Sequence, residues 1–105
     1  MQTRVEHKRD VKRFVLYVDD AEAGYTTYRE AGTNRAFTHT EIYPRFEGLG
    51  LSKVLVRAAL DATRDEKLGV LPMCRSVHRF VSKRPEYLAL VPADRRADLN
   101  LPLVV

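Results

Sequence analysis

The sequence predicts an α+β fold: a mostly antiparallel sheet, one long helix after the central strand, and a second short helix near the C-terminus. Three observations carry this. Residues 14–43 hold three segments of strand composition separated by turn residues. At residue 51 the apolar spacing changes from a period of two to a helical period. A single short apolar stretch, Val70-Leu71, follows before further helical spacing.

Phe14-Val15-Leu16-Tyr17-Val18 is an unbroken apolar run rich in β-branched and aromatic residues, and Asp19-Asp20 supply a turn. Gly24 to Glu30 again has strand composition, and Gly32-Thr33-Asn34 reads as a hairpin turn into a third strand, Ala36 to Tyr43. Short connections of this kind demand antiparallel neighbours. A period of two places Phe37, His39, Glu41 and Tyr43 on one face of the third strand, and Thr38, Thr40 and Ile42 on the other. The apolar residues Leu51, Val54, Leu55, Ala58, Ala59 and Ala62 then form one helical stripe, with Gly69 as the expected residue past the helix end. Pro72 halts the strand at Val70-Leu71, Val77, Phe80 and Val81 fit a short helix, and Glu86 to Val91 fit another turn after Pro85. Residues 92–105 read as a polar tail ending in an apolar stretch, Leu101 to Val105, suited to docking on a partner or on the sheet. There is no internal repeat, so 105 residues are expected to form one domain with its core in residues 14–91.

The composition is that of a globular chain, 45% apolar and 30% charged, and excludes disordered and collagen-like classes. No apolar run approaches the roughly 18 residues that span a bilayer. The start, Met1-Gln2-Thr3-Arg4, has no secretory character, and one cysteine cannot form an internal disulfide. A cytoplasmic protein away from membranes is expected. The net charge of +4 favours polyanionic ligands, but the bases are scattered among acids, which argues against nucleic acid as the partner. One Cys and three dispersed His give no metal-ligand spacing, and no metal is expected.

Chemistry concentrates in residues 40–53. A strand enters a loop with glycines at 48 and 50, and the long helix starts directly after it. Glycine lets the backbone turn sharply and approach a ligand closely. The first N–H groups of a helix lack intrahelical partners and carry partial positive charge, so the junction suits a phosphate or pyrophosphate. The Walker pattern Gly-x-x-x-x-Gly-Lys-Ser/Thr is absent, and Lys53 stands where a Rossmann fingerprint needs its third glycine. Arg45-Phe46-Glu47-Gly48-Leu49-Gly50 instead fits Arg/Gln-x-x-Gly-x-Gly/Ala completely.

This loop resembles that of the GNAT superfamily of acetyl-CoA-dependent N-acetyltransferases. His39-Thr40-Glu41-Ile42, Leu71-Pro72-Met73-Cys74 and Arg84-Pro85-Glu86-Tyr87-Leu88 extend the resemblance to a small stand-alone branch of it, over residues 14–91. That branch carries a His-Thr strand, a Gly-x-Gly loop, a Pro-x-Cys motif and a Pro-Glu-Tyr close. This chain departs from it at Cys74-Arg75-Ser76 and at Arg84, on the acceptor side of the pattern. The resemblance implies a minimal GNAT-like fold and an acetyl group moved from acetyl-CoA to an amine. It also implies that Gly48, Leu49, Gly50, Leu51 and Ser52 hold the pyrophosphate through backbone N–H groups, with Arg45 adding charge. Glu41 and Ile42 would offer backbone groups to the amide arm of coenzyme A, in a manner similar to strand addition.

Cys74 is the candidate acetyl carrier or acyl-pocket residue, with His39 and Arg75 as candidate activators; it reads equally as a small buried hydrophobe. A lysine-like acceptor is unprotonated in only roughly one molecule in 2,500 at pH 7, so a base is required. His39 and Glu41 are the candidates by position, each readable also as an ordinary strand residue. Tyr43 and Tyr87 are candidate acids, Tyr87 with the alternative of packing its ring in the core. The expected function is N-acetyl transfer to an amine of unknown class, directly or through Cys74, by a monomer or weak homodimer. A non-catalytic coenzyme A-binding module is the alternative.

Overall fold

The computed structural model describes residues 1–103, so Val104 and Val105 of the predicted apolar end lie outside the described residues. Its strands are β1 (Thr3–Lys8), β2 (Arg13–Val18), β3 (Ala21–Ala31), β4 (Asn34–Ile42) and β5 (Gly69–Pro72). Its helices are α1 (Leu51–Asp65), α2 (Arg75–Ser82), α3 (Pro85–Leu88) and α4 (Ala93–Arg96). The strands form one sheet in chain order, antiparallel except where β5 lies parallel to β4. The parallel pair is possible because α1 makes the crossover. The predicted fold class is the observed one.

The first two predicted strands lie within β2 and β3, and the third overlaps β4, which ends at Ile42, one residue short of the predicted Tyr43. Asp19 and Asp20 turn the β2–β3 hairpin with φ of 47° and 70°, the left-handed values a two-residue loop needs. β1 escapes a sequence reading because it is an edge strand with a single aliphatic residue, Val5, among charged ones. Val5 packs on the core, and His7 stacks on Phe14 with ring centroids 4.1 Å apart.

Phe14, Leu16 and Phe37 from the sheet, Leu55, Val56 and Leu60 from α1, and Val77 and Val81 from α2 form one core on one side of the sheet. Among the described residues the opposite side carries no helix. The buried stripe of α1 runs Leu51, Leu55, Val56, Ala59, Leu60 and Thr63, rotated from the predicted one, so that Val54 is exposed. Thr63 belongs to it because Arg35 of β4 is buried beneath the helix and donates to the Thr63 hydroxyl at 3.2 Å. The end of α1 is also corrected. Lys67 (φ 62°), not Gly69, takes the left-handed position, and Leu68 and Lys67 N–H bond back to Thr63 and Arg64 carbonyls at 3.1 and 2.9 Å. Gly69 instead opens β5, where the Asn34 side chain fills the place of a Cβ.

The tail is more structured than a polar link. It contains α4, Leu101 is buried in the core, and Arg96 Nε bonds the Val91 carbonyl at 3.1 Å. The predicted turn after Pro85 is α3, which puts Tyr87 and Leu88 in the core.

Two irregularities shape β4. Tyr28 pairs with Phe37 but Thr27 pairs with His39, so Thr38 is a bulge residue with no place in the β3 register, tied to Thr27 by its hydroxyl alone. The bulge reverses the predicted faces at one point: Phe37 stands on the helix side with Thr40 and Ile42, while His39 and Glu41 face the helix-free side. Farther along, β3 approaches β4 so closely at Gly24 that a Cβ there would overlap the Glu41 carbonyl and lie 2.8 Å from Ile42 Cδ1. Gly24→Ala is therefore expected to lower stability by about 1–3 kcal/mol, seen as a lower urea midpoint. An unchanged midpoint would show that the ladder has room for a methyl group.

Candidate functional site

β4 and β5 pair only over Asn34–Phe37 and Gly69–Pro72, and Met73 N–H closes the ladder on the Phe37 carbonyl at 3.0 Å. Beyond this point the chain turns into α2, and β4 continues without a neighbour on that side. Tyr43 N–H bonds the Ala23 carbonyl at 2.9 Å. Antiparallel alternation then directs the peptide groups of Glu41 toward β3 and those of Thr40 and Ile42 toward the open side. Of the pair expected to bind the amide arm, Ile42 offers outward backbone groups and Glu41 does not; Thr40 is an addition the sequence did not suggest.

The open strand leads into a short 3-10 turn, Pro44–Phe46, anchored by the buried Phe46 ring. Gly48 and Gly50 follow, with φ of 79° and 72°, and nothing lies within 4 Å of where a Cβ would stand on either. Gly50 is the residue that caps α1, and no side chain caps the helix, nor does any acid occupy its first turn. The N–H groups of Leu51, Ser52 and Lys53 are thus left to solvent or a ligand. Leu51 and Ser52 line a hollow of about 290 Å³ together with Ile42, Phe46, Glu47, Gly48 and Gly50. Arg45 is exposed, its guanidinium 4.8 Å from the Phe46 ring. Open Cβ positions, uncapped donors and the dipole end of a four-turn helix fit a pyrophosphate group.

A second hollow of about 150 Å³ runs between α1 and α2, lined by Ser52, Lys53, Val56, Ser76, Arg79, Phe80, Lys83 and Arg84. Ser52 belongs to both hollows. Of these the sequence reading gave only Ser52 a binding role; the signal for the others was Arg79 and Lys83, four apart and hence on one helix face.

The three residues singled out for catalysis are not brought together. Cys74, half-buried at the start of α2, has its Sγ 3.3 Å from Thr40 Oγ1 on the helix side. His39 and Glu41 lie across the strand on the helix-free side, 3.4 Å apart, with Tyr25 5.9 Å from the His39 ring. Arg75 is exposed. Tyr43 donates to Glu22 at 2.5 Å, and this bond, with some burial, pushes the phenol up to about 12. Tyr87 is buried, stacked edge-on with Phe80, and donates to Asp61 at 2.8 Å; burial first and that bond second raise its pKa. It packs in the core, away from the open strand. No group of three or more His, Cys, Asp or Glu residues able to hold a metal occurs among the described residues. Nor, among them, is any helix long and apolar enough to cross a membrane.

A sheet that opens beside the strand leading into the main helix, above a glycine-bounded helix N-terminus, defines the GNAT class of fold. The chain belongs to the GCN5-related N-acetyl-transferase family, whose model matches residues 13–91. It is similar to Protein NATD1 of Bos taurus, 30% identical over 84 residues that cover 78% of this chain and 74% of that one. Protein NATD1 of Homo sapiens is 29% identical over the same length, again covering 78% and 74%. Among solved structures, a GCN5-like protein from Staphylococcus aureus superposes with a TM-score of 0.65 at 18% identity, covering 85% of this chain and 87% of its own, a likeness of fold.

Proposed function

We propose that this chain is an N-acetyltransferase that uses acetyl-CoA and delivers the acetyl group to an amine directly, without loading Cys74. The observation that carries the reading is the uncapped start of α1 behind Gly48 and Gly50, adjoining the unpaired stretch of β4 at Thr40 and Ile42. Bound acetyl-CoA supplies a thioester carbonyl activated toward amines. The loop and first-turn N–H groups hold phosphate, and the outward peptide groups of Thr40 and Ile42 orient an extended amide arm by strand-like pairing. Direct transfer is favoured because Cys74 has a hydroxyl, not a base, beside its sulfur. In this reading His39 takes the ammonium proton of an amine approaching on the helix-free face, and the Glu41 carboxylate 3.4 Å away supports it in that role.

The test has two stages. Acetyl-CoA at 100 times its Kd should add about 2.7 kcal/mol to unfolding stability, several degrees in Tm, while ATP adds little. Release of thiol is then followed with a panel of amines. Cys74→Ala should keep turnover and His39→Gln should lose it roughly 100-fold at neutral pH. No stabilisation by millimolar acetyl-CoA overturns the reading. Stabilisation without turnover on any amine makes the chain a coenzyme A-binding module, and loss of turnover in Cys74→Ala overturns direct transfer.

A further inference from the structure

The two edges of the sheet differ. β5 is four residues long and ends in Pro72, and its outward Val70 N–H is taken by the Leu90 carbonyl at 2.9 Å. β1 at the other edge runs six residues, Thr3–Lys8, with no proline and no bulge against β2, and among the described residues no further strand pairs with it. Asp19 N–H donates to the Gln2 carbonyl at 2.9 Å, which fixes the alternation along β1. Gln2, Arg4, Glu6 and Lys8 turn their peptide groups to β2, and Thr3, Val5 and His7 turn theirs outward. An unpaired row of this kind is a template for another strand. The side chains are sorted as well. Val5 packs on the core and His7 on Phe14, whereas Arg4 and Lys8 lie against Tyr17 on the helix-free side, each paired with Glu6 between them.

The charge order along this strand is complementary to itself. In an antiparallel pair of two copies, outward peptide groups must meet outward peptide groups, so Thr3, Val5 and His7 meet only one another. With Val5 meeting Val5 on a twofold axis, Thr3 meets His7, Gln2 meets Lys8, and Arg4 meets Glu6 on both sides of the axis. The next register in one direction sets Arg4 against Arg4; the next in the other sets Glu6 against Glu6 and Arg4 against Lys8. Like charges directly opposite destabilise a strand pair and opposite charges support it, so one register is selected. Arg4 and Glu6, half-exposed in the single chain, then close into a ring of alternating charge across the axis. We propose that β1 is a homodimerisation edge, at which two copies of this chain join their sheets antiparallel about a twofold axis at Val5. Such an axis runs perpendicular to the sheet, so the helices of both copies lie on one side and both His39 faces on the other. The open stretch of β4 lies beyond β2 and β3 from this edge and stays free. Dimerisation here is independent of the acetyl-CoA reading.

Sedimentation equilibrium from micromolar to near-millimolar protein tests this. The wild type should move with concentration from the 12.0 kDa monomer toward twice that mass. Arg4→Glu alone, or Glu6→Arg alone, sets like charges opposite each other on both sides of the axis and should weaken the dimer at least roughly tenfold. The double variant Arg4→Glu/Glu6→Arg exchanges the two charges and should restore it. All three variants change exposed residues and should melt close to the wild type, so a lost dimer is not a lost fold. A wild type that stays monomeric throughout overturns the proposal and leaves the edge to a strand of another protein or to none. A dimer that both single variants leave intact, or that the double variant fails to restore, overturns its assignment to β1 in this register.

Discussion

Replacing Glu66 by alanine is expected to destabilise the protein by about 3 kcal/mol, roughly 10–20 °C in Tm, because it strands a buried cation. Arg35 is 2% exposed beneath α1. Its Nη1 and Nη2 donate to Glu66 at 3.2 and 3.1 Å, and its guanidinium lies 4.3 Å from the Tyr28 ring. Glu66 also accepts from Arg9 at 3.0 Å, and His7, whose Nδ1 is 3.8 Å away, shares a 2.6 Å hydrogen bond with Tyr28. Without the carboxylate, Arg35 retains Thr63 and a Glu30 oxygen 3.8 Å from Nε, which compensate in part. A loss below 1 kcal/mol in urea melts would mean that water already solvates Arg35. Arg35→Met/Glu66→Met should be more stable than Glu66→Ala alone, since removing both leaves no buried charge unpaired, Arg9 being exposed to solvent.

The same carboxylate makes the fold sensitive to acid. Hydrogen bonds from Arg35 first and Arg9 second lower the Glu66 pKa from 4.5 to about 2. The unfolded chain therefore binds the proton first, so the contribution is complete above about pH 4.5 and is lost as pH falls toward 2. It is worth on the order of 2–3 kcal/mol. His7 acts in the same direction at higher pH. Burial first, then Arg9 and Arg35, lower its pKa from 6.5, so its part fades as pH drops below that value. Glu66→Gln should flatten the stability profile between pH 4.5 and 2, and an unchanged slope there would show that other carboxylates dominate.

Gly50→Asp should separate binding from folding. Asp is one of the few residues that tolerates a left-handed φ, and nothing lies within 4 Å of the new Cβ, so the cost in stability should stay near 1 kcal/mol. The carboxylate would compete for the uncapped N–H groups of α1 and place negative charge where the proposed function puts the pyrophosphate. Like-charge juxtaposition of this kind costs several kcal/mol, so acetyl-CoA affinity should fall at least roughly 100-fold. Titration of a variant that melts normally yet binds like the wild type would remove the glycine loop from the site.

The chain by itself determined the elements whose physics is local. The β2–β3 turn, the start of α1 after Gly50, the strand halted at Pro72 and the glycine loop follow from positive-φ residues, helical spacing and proline chemistry. What the tertiary structure decided depends on contacts between segments distant in sequence. The single-residue bulge at Thr38 set which face of β4 each side chain occupies, and so parted Cys74 from His39 and Glu41. A bulge arises from the partner strand's register, and no periodicity within β4 records it. β1 became a strand only because β2 offered it an edge. The cluster of Lys53, Arg79, Lys83 and Arg84 exists because α1 packs beside α2. Along the chain these are four ordinary bases, and only packing one helix against the other puts their charges on a single cleft.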